Sequence, residues 1–173
     1  MELRVAKKNE IWLRENGAIE YGQHHYPFIV ALHALFIVSM IIEFIITGGG
    51  KFGLFFLAVF ILLILFKIWT ISSLGKYWNT KILRVPNSMF IKKGPYKYFR
   101  HPNYFIVICE IIVIPMVFGL YYTAIIFTIL NAIMLSVRIR EEEKSLESEV
   151  MPSYISNLLV TSFQFTTFHH AEI

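Results

Sequence analysis

Tyr104 to Val137 reads YFIVICEIIVIPMVFGLYYTAIIFTILNAIMLSV, an apolar block whose only charged residue is Glu110. A membrane-spanning helix uses about 20 mostly apolar residues, so this block is too long for one span. Pro115 and Gly119 interrupt it, the first by removing a backbone donor and the second by freeing φ. Dividing it near Gly119–Tyr122 predicts spans over 104–119 and 121–138, both slightly short and joined by a tight hairpin. Upstream, one apolar run covers 28–46 and stops at Gly48-Gly49-Gly50, and a second covers 52–71. So short a connection predicts another antiparallel hairpin. The expectation is an all-α integral membrane protein of four transmembrane helices in two hairpins, forming a single domain over 1–173.

The distribution of basic residues fits that count. Arg4, Lys7, Lys8 and Arg14 precede the first span; Lys76, Lys81, Arg84, Lys92, Lys93, Lys97 and Arg100 lie between the second and third; Arg138, Arg140 and Lys144 follow the fourth. The opposite side carries only Lys51 and an uncharged Tyr121-Tyr122 turn. With four spans every basic segment falls on one side, which the positive-inside rule makes cytoplasmic. Tyr26, Trp69, Tyr77, Trp78, Tyr121 and Tyr122 stand where interfacial anchors belong.

Composition agrees. Of 173 residues 56% are hydrophobic and 16% charged, against roughly 25% charged in an average soluble domain. The net charge of +4 resides beside apolar blocks, which suits anionic lipid head groups and leaves no free basic stripe for nucleic acid. Met1 to Tyr26 is charged and lacks an apolar core, so the first span is expected to act as an uncleaved signal-anchor. The single cysteine, Cys109, lies in an apolar run and reads as a packing residue.

Two polar sites remain. Lys93-Gly94-Pro95-Tyr96-Lys97-Tyr98-Phe99-Arg100-His101-Pro102-Asn103-Tyr104 runs into the third span. Gly94-Pro95 marks a turn, and Pro102 suits the first turn of a helix. His101 and Tyr104 would then stand at the positive dipole end of that helix, where an anion is favoured. The same residues also read as a basic, aromatic membrane anchor. After the fourth span comes Arg138-Ile139-Arg140-Glu141-Glu142-Glu143-Lys144-Ser145-Leu146, in which Arg138 and Glu142 share a helical face. A solvated helix end is the plain alternative; a cationic ligand bearing a ribose would organise the same charges.

Taken together, Gly94-Pro95-Tyr96…Arg100-His101-Pro102-Asn103-Tyr104, then a two-helix hairpin, then Arg138…Glu142-Glu143…Leu146, resembles the isoprenylcysteine carboxyl methyltransferase family. The resemblance covers roughly the C-terminal half. It implies a membrane enzyme that uses S-adenosyl-L-methionine, with Tyr96, His101, Pro102, Asn103 and Tyr104 building much of the cofactor pocket and Ser88, Met89, Phe90 and Ile91 lining it. It further implies that Glu142 binds the cofactor through ribose hydroxyls and that Arg138, the catalytic candidate, positions the anionic oxygen of the substrate. The segments Trp12 to Gly22 and Leu74 to Asn79 resemble a bacterial branch, some members of which are associated with O-methylation of long-chain polyketide pyrones or resorcinols. The implied reaction is O-methylation of a lipophilic acceptor drawn from the bilayer, a prenylcysteine-like carboxylate or an acidic enol or phenol. A carboxylate or the acidic enol of a pyrone is ionised near neutral pH, so proximity and orientation supply much of the rate. The expected location is a bacterial cell membrane, with both termini and the site cytoplasmic. Two rival readings stand beside this one: N-methylation of a phospholipid or other amine, and a non-catalytic membrane protein whose basic loop recruits lipid or a partner.

Glu110 is a second catalytic candidate, because an acid inside a span is functional by default; a bond to a neighbouring helix is its other reading. Glu43 is close enough to the outer end of its span to reach the interface. Lys67 is placed to snorkel and His33 to pack. His24-His25 and His169-His170 lack the further ligands a metal site needs, so no metal is expected. The tail from Pro152 onward is too polar to span and is expected along the interface.

Overall fold

The structure is a computed structural model that describes residues 2–86, 88 and 92–168, the side chains of 145–168 excepted. In chain order the elements are α1 (Glu2–Glu15), β1 (Ile19–Tyr21), α2 (Tyr26–Thr47), α3 (Leu54–Leu74), β2 (Ile82–Arg84), α4 (Pro102–Val117) and α5 (Tyr121–Phe168). Single 3-10 turns follow α3 at Gly75–Tyr77 and precede α4 at Gly94–Lys97.

Three helices, Tyr26–Thr47, Leu54–Tyr77 with its terminal turn, and Tyr121–Lys144 within α5, are long and apolar enough to cross a bilayer. Their outer faces are oily: Ile46 is 77% exposed and Phe55 72%. Water does not tolerate an apolar surface this continuous, and lipid does. The chain is an integral membrane protein. The third expected span, α4, has 16 residues, about 24 Å at 1.5 Å per residue against a hydrocarbon core of about 30 Å. It is shorter than a full crossing because Pro102 starts it and the turn at Phe118–Gly119 ends it. The fourth predicted span ends at 138, whereas α5 continues without a break to Phe168 and through Pro152. The tail side chains lie outside the described residues.

Two hairpins in sequence are not two hairpins in packing. α3 packs on α4, α4 on α5 and α5 on α2, while α2 and α3 make little direct contact. Their connecting loop instead crosses the tip of the α4–α5 hairpin, where the Gly50 and Gly53 amides donate to the carbonyls of Phe118 and Val117, each at 2.8 Å. The crossing is glycine on glycine. A methyl carbon placed on Gly119 would lie 2.8 Å from the Gly50 Cα, and Gly119 has φ +69°, a backbone region that favours glycine. Phe36, Ile111 and Phe127, from α2, α4 and α5, form the buried centre.

Polar groups in this apolar frame are paired. Glu43 closes the start of α5, its carboxylate accepting from the amides of Tyr122 at 3.1 Å and Thr123 at 2.7 Å. Acceptors at a helix N-terminus satisfy donors that have no partner within the helix. Ser39 and Thr123 share a hydrogen bond at 2.9 Å, and His33 bonds the Ile29 carbonyl at 2.8 Å. Lys67 does not snorkel outward. Its ammonium is held 3.0 Å from both Glu110 and Glu2.

The charged N-terminus folds as α1, which buries Ala6, Asn9 and Leu13. Asn9 donates to the carbonyls of Gly75 at 3.0 Å and Trp78 at 2.7 Å, and Asn79 donates back to Ala6 at 3.0 Å. β1 then pairs antiparallel with β2, Ile19 opposite Arg84 and Tyr21 opposite Ile82, a small strand ribbon absent from the all-helical expectation. An ion cluster of Glu10, Arg14, Glu20 and Lys81 ties α1 to the ribbon.

Two outcomes follow from this frame. Gly17 and Gly119 both have positive φ, but a side chain at Gly17 meets open space. Gly119→Ala should therefore cost about 2–4 kcal/mol and Gly17→Ala about 1 kcal/mol; equal heat resistance of the two variants in detergent would remove the crossing as a constraint. The Lys81 ammonium, hydrogen-bonded to Glu10, holds that carboxyl below its ordinary value of 4.5, against an opposing effect of burial. A lowered carboxyl stabilises above its unfolded pKa and loses that contribution as pH falls through its folded one. Protection of residues 2–21 from proteolysis should be flat near neutrality and fall below about pH 4.5, with Lys81→Met weakening the acid dependence.

Candidate functional site

At the end of the bundle where α3 finishes and α4 begins, a cavity of about 480 Å³ opens, within the usual size of small-molecule sites. Each wall has a local cause. The turn after α3 supplies Tyr77 and Trp78, and β2 supplies Arg84. Gly94, at φ +53° and pressed against Ser73 and Trp69, lets the next 3-10 turn fold back on α3 and present Tyr96. The first turn of α4 brings His101, Asn103 and Tyr104, and α5 brings Arg138 and Glu142 from positions one turn apart.

The Tyr104 hydroxyl is the junction. It donates to Glu142 Oε2 at 2.6 Å and accepts from Arg138 Nε at 3.0 Å. Arg138 Nη2 also donates to the Thr80 carbonyl at 2.6 Å, and the guanidinium stands 5.6 Å from the centre of the Tyr104 ring. His101 stacks on the other part of that tyrosine, centroids 5.1 Å apart and planes inclined 12°. Its Nδ1 is 3.6 Å from Glu142 Oε2, and Arg84 Nη2 is 3.6 Å from Oε1. Antiparallel helices make this meeting possible because each side chain leans toward its own N-terminus.

The electrostatics are lopsided. Lys81, Arg84, Lys92, Arg100 and Arg138 line the cavity, with Glu142 the sole carboxylate among the described lining residues. No side chain caps the start of α4, so its positive end adds to the field. Burial, and next the Glu142 charge, push the Tyr96 hydroxyl well above its ordinary pKa; it stays a neutral donor across the physiological range. The Asn103 side-chain oxygen is buried without a hydrogen-bond donor among the described residues. Such an atom costs stability unless a ligand or water supplies the donor.

Of the residues singled out in the sequence, Ser88, Tyr96, His101, Asn103, Tyr104, Arg138 and Glu142 line this one cavity. Pro102 does not; it is fully buried and starts α4. Glu110 is not brought to the cavity. It sits about two turns deeper in α4 and binds Lys67 at 3.0 and 3.1 Å, so its pairing with a neighbouring helix is what the structure contains. Met89, Phe90 and Ile91 lie outside the described residues. Sequence reasoning missed Tyr77, Trp78, Lys81, Arg84 and Lys92 as lining residues. The Leu74 to Asn79 resemblance was a signal for the first two, whereas Arg84 enters through a three-residue strand pair that carries no motif.

Comparison with known proteins fits this geometry. The model of the isoprenylcysteine carboxyl methyltransferase family matches residues 56–148, which contain every lining residue and leave out α1, β1 and α2. The uncharacterised protein YpbQ of Bacillus subtilis is 45% identical over 84% of this chain and 88% of its own length. An uncharacterised protein of Haemophilus influenzae is 30% identical over 83% of this chain and 86% of its own length. No solved structure matches. Enzymes of the matched family transfer methyl groups and use S-adenosylmethionine. The chain belongs to the isoprenylcysteine carboxyl methyltransferase family, as a membrane methyltransferase.

Proposed function

We propose that this protein is an S-adenosylmethionine-dependent O-methyltransferase whose lipophilic acceptor reaches the cavity from the bilayer, with four spans and the cavity on the cytoplasmic side of the bacterial cell membrane. The observation that carries the reading is the Tyr104 hydroxyl joining Arg138 to Glu142 within one cavity at the end of the membrane helices.

The residues present fit the cofactor. Glu142 offers a carboxylate for a ribose diol, and the buried Asn103 oxygen lacks a donor that a hydroxyl or ammonium would supply. Arg100, Lys92 and the open start of α4 suit a carboxylate, and the Tyr96 ring gives a face for a flat base or a cation. S-adenosylmethionine supplies the methyl group, already attached to its leaving group. What this chain supplies is placement. Arg138, held by Tyr104 and the Thr80 carbonyl, retains N–H groups with no acceptor among the described residues, which can fix an acceptor oxygen. Orientation of reactants in this way is worth several powers of ten in rate. A protonated amine would be repelled by the five lining cations, whereas an anionic oxygen is attracted by them. Lipophilic acceptors as different as a prenylcysteine-like carboxylate and the enol of a long-chain pyrone both present that oxygen.

The test is the purified protein titrated with S-adenosylmethionine, then incubated with methyl-labelled cofactor and host lipid extract. Saturable binding is expected, weakened about tenfold or more in Glu142→Ala. Arg138→Ala should keep cofactor affinity within about threefold yet lose about 100-fold in methyl transfer; loss of binding in that variant with the fold intact refutes the role given to Arg138. A carboxylate acceptor, ionised above about pH 4, makes the rate flat between about pH 6 and 8, whereas an amine acceptor makes it climb through that range as the free base forms. A climbing profile sinks the carboxylate acceptor, and a labelled product methylated on nitrogen sinks the O-methyl reading.

A further inference from the structure

Helix α1 lies outside the residues the family model matches, yet it is built against the cavity wall. Its inner face holds that wall from behind: Asn9 bonds the carbonyls of Gly75 and Trp78, Asn79 bonds Ala6, and Trp12 meets Tyr77 edge-on at 5.4 Å. Tyr77, Trp78 and Asn79 line the cavity on their other side. The outer face is different in kind. Arg4, Lys7 and Lys8 are exposed there with Leu3, 74% exposed, and Ile11, 55% exposed, set between them. Helical spacing puts these five on one stripe. The helix is held at its first residue, because Glu2 reaches Lys67 at 3.0 Å. Lys67 is about 10 Å inside the end of α3. That contact ties the start of α1 to the membrane-spanning part of α3. A basic stripe carrying isolated apolar side chains is complementary to an anionic bilayer surface.

We propose that α1 docks on anionic phospholipid head groups through Arg4, Lys7 and Lys8, with Leu3 and Ile11 entering the interface, and that this docking firms the cavity wall through Asn9. The docking stands on α1 alone; its effect on ligand affinity rests on the reading of the cavity as a methyl-donor site. The lipid composition of the membrane then sets how tightly the protein holds its small-molecule ligand.

The experiment places the full chain in nanodiscs of phosphatidylcholine alone or with about one-third phosphatidylglycerol, and reads amide hydrogen exchange together with S-adenosylmethionine affinity. Anionic discs should slow exchange in residues 2–16 and 76–85 about tenfold and tighten the affinity about threefold. About 0.5 M salt should erase both effects. The triple variant Arg4→Gln, Lys7→Gln, Lys8→Gln should match the natural chain in neutral discs and lose the response to anionic lipid. Asn9→Ala should retain lipid protection in 2–16 and lose it in 76–85. Exchange indifferent to lipid charge, or a triple variant that responds like the natural chain, overturns the docking; protection of 76–85 persisting in Asn9→Ala overturns its transmission to the wall. Lipid-dependent protection with no cofactor binding in any disc sinks the methyltransferase reading and leaves the docking intact, while cofactor binding with no lipid effect does the reverse.

Discussion

The antiparallel pairing of α4 with α5 is the constraint on which the rest depends. Its turn is fixed at Gly119, where a second loop crosses so closely that neither Gly50 nor Gly119 has room for a side chain. From that fixed end, about 20 Å of α4 leads back to Tyr104 and about 25 Å of α5 leads on to Arg138. The mismatch is absorbed by side-chain direction, since Tyr104 leans away from the turn and Arg138 leans toward it. A slip in register on either helix would separate the hydroxyl from both of its partners. The chemistry at one end of the bundle is thus set by glycines at the other.

Ser39, Glu43, Lys67, Thr70, Glu110, Thr123 and Thr128 inside the bundle each meet a specific partner, because the surrounding lipid and apolar side chains supply none. Thr70 and Thr128 bond carbonyls one turn back in their own helices. Glu43 reaches from α2 to the first amides of α5, so a carboxylate that looks misplaced in an apolar segment completes another helix. Glu110 and Lys67 neutralise each other between α4 and α3, with Glu2 as a third member. The charges around the cavity have partners too, Lys81 on Glu10 and Arg84 beside Glu142, and they line an open space as well.

The periodic and compositional signals were the legible ones. Long apolar runs marked the starts of the membrane helices to within a few residues, the Gly48–Gly50 cluster and Gly119 marked the two turns, and the spacing of Arg138 and Glu142 placed them on one face. The His101 to Tyr104 segment and Glu142 were expected to converge, and they meet at the Tyr104 hydroxyl. What could not be read was pairing between distant segments. Short loops argued for α2 against α3, but packing is decided by which faces interlock, and α4 and α5 take both. α1 was invisible because its buried face contains Ala6 and Asn9 and has too little apolar pattern to stand out among its charges. Arg84 lies in the wall because Ile19 pairs opposite it, a three-residue register with no sequence mark. Glu110 drew attention as an acid in an apolar run; its counter-ion comes from another helix and carries no sequence signal of that pairing.

The position of Glu2 has a practical side for anyone handling the protein. Its carboxylate is already engaged with Lys67, so an affinity tag or fluorescent fusion joined at that end sits directly against this contact. The bulk of such a fusion would lever α1 off Gly75 and Trp78.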